Sequence, residues 1–99
     1  MSCTLNSNIE NRIRYGEIGI PQLEIPYGFS TKQIIDNNGL KKFMNEHQMT
    51  RIYGIWVDGG YGDQWQMTAS VYGGGLFVQV YSKYQATLKT DVFLHIFGV

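Results

Sequence analysis

The sequence predicts an α+β domain: an antiparallel sheet of about four to six strands, with one short or broken helix over about 31–47 packed on one face. Three observations carry this. From Arg51 onward apolar residues recur with period two, which is the strand repeat. Gly- and Asp-containing connections break that half at short intervals, as hairpins require. Only the segment after Ser30 repeats its apolar residues at helical spacing. Ninety-nine residues fit one domain spanning 1–99.

Residues 1–11 are rich in Ser and Asn and read as a flexible N-terminal segment. They hold no apolar core of the kind a signal peptide needs. Arg12–Ile18 alternates loosely and reads as a short strand. Pro21 and Pro26 lack backbone donors, so Gln22–Ile25 is expected at a sheet edge or in an extended loop.

Ser30-Thr31-Lys32-Gln33 has the pattern of a capping box, in which the serine hydroxyl accepts from the third amide and Gln33 reaches back. Ile34, Ile35, Leu40, Phe43, Met44 and His47 fall near one helical face. Asn37-Asn38-Gly39 interrupts it, so a kink, two short helices or a hairpin around Asp36–Gly39 are the alternatives.

The second half reads as a meander over 51–98. Arg51–Val57 carries apolar residues on both faces, as a central covered strand would: Ile52 and Trp56 on one, Tyr53, Ile55 and Val57 on the other. In Gln64–Tyr72, Trp65, Met67, Ala69 and Val71 point in while Gln66, Thr68 and Ser70 point out. Over Leu76–Leu88, Leu76, Val78 and Val80 oppose Phe77, Gln79, Tyr81 and Lys83. Val92, Leu94 and Ile96 alternate with Phe93, His95 and Phe97. Sequential strands on short loops pair as neighbours.

Composition narrows the function. Eight Lys and Arg balance eight Asp and Glu. That leaves no excess of one sign to hold nucleic acid or an anionic membrane by charge. Arg12 and Arg14 beside Tyr15 are too few for a nucleic-acid footprint. One cysteine, Cys3, cannot form an intramolecular disulfide, which suits a cytoplasmic location. Near-neutral chains tend to associate, so a homodimer or a protein partner is expected.

The chemistry-bearing motifs fail one by one. Gly73-Gly74-Gly75 joins two strands rather than a strand and a helix, and no Lys-Ser/Thr follows, so it is no phosphate loop. Asp58 and Asp63 flank a glycine-rich loop, yet two carboxylates fall short of the six to eight oxygens calcium takes. Nothing matches a zinc spacing. His47 is expected to cap its helix and His95 to be half-buried and structural. No cofactor and no metal are expected.

What survives is aromatic. Ten of the fourteen aromatics fall after residue 50, and between Ile52 and Ser82 the only charges are Asp58 and Asp63. One sheet face or edge should therefore expose Tyr, Gln and Ser with little charge. Tyr and Trp give large contact area at low entropy cost. The leading reading is a non-catalytic protein-binding module, of the size class of small inhibitors, immunity factors and phage-encoded anti-defence proteins. Its binding surface is expected at Tyr61, Trp65, Tyr81 and Tyr84, with Asp58 and Asp63 as a charged rim. Two readings stand behind it: a carbohydrate or small-ligand domain using Tyr61, Asp63, Gln64 and Trp65, and a small oligomeric enzyme with His95 as base.

Overall fold

The computed structural model describes residues 13–59 and 64–99. Six strands and one helix follow in the order β1 (Arg14–Ile25), β2 (Gly28–Ile35), α1 (Asn37–Glu46), β3 (Ile52–Gly59), β4 (Trp65–Tyr72), β5 (Gly75–Ser82) and β6 (Leu88–Gly98). The expected N-terminal segment 1–11 lies outside the described residues.

The α+β class with antiparallel pairing holds, but there is no single sheet of four to six strands. The strands divide into two three-stranded sheets, ordered β1-β6-β3 and β2-β5-β4. Nor is 51–98 a meander. Only β4 and β5 pair as sequential neighbours, whereas β3 reaches across to β6 and β6 lies between β3 and β1. Their side-chain alternation was readable locally; the choice of partner strand is a long-range matter that alternation does not encode.

Residues Arg14 to Ile35 run nearly continuously through both sheets, pairing first with β6 and then with β5. Pro26 and Tyr27 separate the two stretches. As its prolines require, β1 is an edge strand. Its register shifts between Ile20 and Leu23, where Pro21 and Gln22 form a bulge and Gln22 adopts φ 52°.

The expected helix over 31–47 is corrected at its start. Ser30–Gln33 is strand, paired with Val80–Phe77 on β5. The supposed capping hydroxyl, Ser30 Oγ, is buried and finds no hydrogen-bond partner among the described residues. Gln33 Nε2 donates instead to the carbonyl of Gly74 in the β4–β5 turn. The actual cap is Asp36, whose Oδ1 accepts from the backbone N–H of Gly39 at 2.7 Å. Asn37-Asn38-Gly39 is thus the first turn of the helix rather than a break within it. Leu40 and Phe43 are buried as expected. His47 closes the helix, its Nδ1 2.8 Å from the Phe43 carbonyl.

A third correction concerns β3, which is an edge strand and not a doubly covered one. Its register shifts between Ile52 and Gly54, leaving Tyr53 as an extra residue. The bulge reverses the alternation, so Ile52, Ile55 and Val57 all pack against the core while Tyr53 and Trp56 are exposed.

One core joins both sheets and the helix. Ile25, Val92, Leu94 and Ile96 come from the first sheet, Trp65, Leu76, Val78 and Val80 from the second, and Leu40, Phe43 and Met49 from the helix and the turn after it. Gly75 lets the end of β2 approach the start of β5. It has φ +113°, and a Cβ there would lie 2.2 Å from the Ile35 carbonyl oxygen.

Candidate functional site

With the apolar residues turned inward, each sheet presents an outer face, and the two differ in chemistry. On the first sheet the cross-strand rows are Tyr15–Phe97–Gly54, Glu17–His95–Trp56 and Gly19–Phe93–Asp58. His95 occupies the middle strand at the centre of this face. Its Nδ1 lies 2.5 Å from the Tyr15 hydroxyl and 3.6 Å from Glu17 Oε2, and its Nε2 lies 3.5 Å from Asp58 Oδ2. The Trp56 ring meets the imidazole at a centroid distance of 5.8 Å.

Loss of solvent around the Tyr15 phenol, with the Glu17 carboxylate beside it, pushes its pKa above the ordinary tyrosine value. The phenol therefore keeps its proton, and where it donates that proton to Nδ1 the neutral imidazole carries its own on Nε2, toward Asp58. A phenol, an imidazole and a carboxylate in line could pass a proton along the sheet. Among the described residues, the nearby depression lined by Gly19, Ile20, Pro21, Asp91 and Phe93 holds about 180 Å³, short of the ~300 Å³ at which small-molecule sites begin.

The paired rows on the outer face of the second sheet carry no charged side chain; exposed Lys83, whose backbone N–H donates to the Gln64 carbonyl at 2.9 Å, follows β5 at the margin of this face. The rows are Phe29–Tyr81–Gln66, Thr31–Gln79–Thr68 and Gln33–Phe77–Ser70, with Tyr72 beyond them opposite Gly75. Phe29 is 85% exposed and Tyr81 41%. Their rings meet at 4.6 Å, and Tyr72 stacks on Phe77 at 4.4 Å. Between these two aromatic pairs lies a polar strip in which Gln79 Nε2 donates to Ser70 Oγ at 3.1 Å. Phe29, Gln66, Thr68, Gln79 and Tyr81 border a shallow depression of about 160 Å³. A larger open groove of about 370 Å³ lies beside the helix, lined by Lys41, Met44, Asn45, Met49 and Thr50. It brings together no acid–base pair.

The residues singled out from sequence do not form one surface. Asp58 belongs to the His95 face of the first sheet. Tyr81 belongs to the outer face of the second. Tyr84 is 44% exposed in the connection after β5, where its backbone N–H donates to Ser82 Oγ at 3.2 Å. Trp65 is 7% exposed and part of the core, so its indole is packing rather than display. Tyr61 and Asp63 lie outside the described residues. Among the described residues no three His, Cys, Asp or Glu come together as a metal-holding group.

Phe29 was not picked out from sequence, and Tyr15, Glu17 and Trp56 were not among the expected binding residues. The strand parity of Phe93, His95 and Phe97 did point outward together, but Glu17 and Asp58 reach His95 only through the pairing of β1 and β3 with β6. No helix among the described residues is long and apolar enough to cross a membrane. Comparison of the chain with protein-family models, with curated proteins and with solved structures finds no match in any of the three.

Proposed function

We propose that this protein is a non-catalytic binding module whose contact surface is the outer face of β2, β5 and β4, and that its ligand is another protein. The observation that carries this is the exposure of Phe29 against Tyr81 on a face whose paired rows hold no charge, with Lys83 at its margin. Protein interfaces are depleted of Lys, Asp and Glu at their centres and enriched in aromatic rings. Contiguous exposed apolar patches rimmed by polar residues mark contact sites. The shallow relief favours a broad partner over an enclosed small molecule. A small inhibitor or immunity-type blocker works through such a surface.

The test is a comparison of variants in capture from the native host. The Phe29→Ala/Tyr81→Ala double variant should lose a partner that wild type retains, with its fold intact by circular dichroism. Trp56→Ala, on the other sheet, should keep it. Equal retention by all three refutes the assignment of the face.

A second reading rests on the polar strip. Amide and hydroxyl groups of Gln79, Ser70 and Thr68 lie between the two aromatic pairs, and that combination also suits a sugar chain. Binding to immobilised glycans that disappears in the same double variant would favour it over a protein partner.

A further inference from the structure

The four sheet edges are not alike. Edge strands present unpaired backbone groups to any passing strand, and native proteins blunt them with charge, proline, bulges or a covering helix. Pro21, the Gln22 bulge, Arg14, Glu17 and Glu24 blunt β1. Lys32 and the register shift before Ile35 do so in β2. In β3 the Tyr53 bulge and Asp58 serve the same purpose. Among the described residues the remaining edge, β4, has no charge, proline or bulge, and β3 approaches it without pairing. Trp65-Gln66-Met67-Thr68-Ala69-Ser70-Val71-Tyr72 carries no charge and no proline, and pairs with β5 in unbroken register along its whole length. Among the described residues β4 pairs with β5 alone.

We propose that β4 pairs antiparallel with β4 of a second copy of this chain, joining the two β2-β5-β4 sheets into one six-stranded sheet across a two-fold axis. Self-pairing is what this edge permits chemically. A two-fold axis sets each residue against its own strand, so any charge near the centre would meet its like; β4 has none. The chain's zero formal net charge adds no long-range repulsion between copies.

The period of two then limits the register. Opposed residues must point to the same face, so the axis passes through a residue and not between two. With the axis at Thr68, outward Gln66 faces Ser70, and inward Met67 faces the small Ala69. Thr68 faces its own copy. This places polar groups opposite polar groups and a bulky side chain opposite a small one. The proposal uses the hydrogen-bonding edge of the sheet and does not depend on the reading of its outer face.

Two measurements on the full chain decide it. Light scattering at about 100 μM chain, where even a dimer of about 10 μM Kd is largely formed, should give twice the 11.3 kDa monomer mass. Thr68 is exposed, so Thr68→Lys should leave the monomer fold intact by circular dichroism while weakening the dimer at least about tenfold, because two ammonium groups meet at the axis. In a Cys3→Ser background, Thr68→Cys should cross-link to its own copy on mild oxidation, since opposed antiparallel residues lie about 4.5–5.5 Å apart at Cα, within disulfide range. A monomer at that concentration overturns the proposal. So does a dimer that Thr68→Lys leaves unchanged, or one that Thr68→Cys fails to cross-link.

Discussion

The Tyr15 hydroxyl is hydrogen-bonded to Nδ1 of His95, at 2.5 Å, across the β1–β6 ladder. Because its pKa is raised by loss of solvent and then by the Glu17 carboxylate, this phenol should remain protonated beyond the ordinary tyrosine range. The folded-state value lies above the unfolded one. Stability associated with the group is therefore complete at neutral pH and is lost as pH rises through the folded value. An alkaline ultraviolet titration should show one late tyrosinate transition that is missing in Tyr15→Phe. In the same variant, ¹⁵N shifts of His95 should lose the bias toward a proton on Nε2. An unchanged tautomer signature would refute the donor assignment.

Asp91 makes the opposite pH prediction at the β1 bulge. Its Oδ1 accepts from the backbone N–H of Gln22 at 2.9 Å and from the Gln22 side-chain amide at 3.1 Å. These bonds, the backbone one first, hold the carboxyl below its usual value. A folded pKa below the unfolded one contributes stability above the unfolded value and loses it as pH falls through the folded one. Wild type should therefore be more stable than Asp91→Ala at neutral pH. The difference should shrink through the acid range and vanish once the folded carboxyl is protonated. A difference that stays constant from neutral to strongly acid pH would mean that the bond carries no charge-dependent stabilisation. Gln22 holds φ 52°, so Gln22→Gly should ease the backbone and keep the main-chain bond while removing the side-chain one.

Asp36 caps α1 through the Gly39 amide. Asp36→Ala should cost about 1 kcal/mol, the usual loss for an N-cap, whereas Ser30→Ala should cost nothing through helix capping because Ser30 lies in β2. Chemical denaturation of both variants checks this, and equal losses of cap size at both positions would reverse the assignment.

That contrast marks where local sequence stops being informative. Ser30 and Gln33 satisfy the capping-box pattern as well as Asp36 satisfies a plain N-cap. The tie is broken by distant residues: Gln79 and Phe77 take up Thr31 and Gln33 as strand partners, and Gly74 accepts from the Gln33 amide. Alternation in β4, β5 and β6 was legible because those strands keep an unbroken period, and the expected Tyr–Gln–Ser face with little charge follows from it. The inward placement of Ile52 with Ile55 and Val57 was not legible, since one extra residue at Tyr53 reverses the parity. The His95 cluster was hidden for another reason. Glu17 and His95 are far apart in sequence, and nothing in either segment names its partner strand.

Gly75 carries a tight local constraint where the end of β2 meets the start of β5. Its φ of +113° is a conformation that L side chains rarely adopt, and an added Cβ would lie 2.2 Å from the Ile35 carbonyl oxygen and 2.7 Å from the Asp36 carbonyl carbon. Both obstacles are backbone, so no rotamer change relieves them. The strained conformation alone should cost about 1–3 kcal/mol in Gly75→Ala, and the displaced carbonyl adds to it because Ile35 leads directly into the Asp36 cap. Gly73, in the same turn, has nothing within 4 Å of an added Cβ. Gly73→Ala should therefore stay within about 0.5 kcal/mol of wild type, as open surface sites do. Thermal melts of the pair provide the check. Equal destabilisation would show that the turn tolerates or rejects side chains as a whole, and that the close approach of β2 to β5 is not what fixes Gly75.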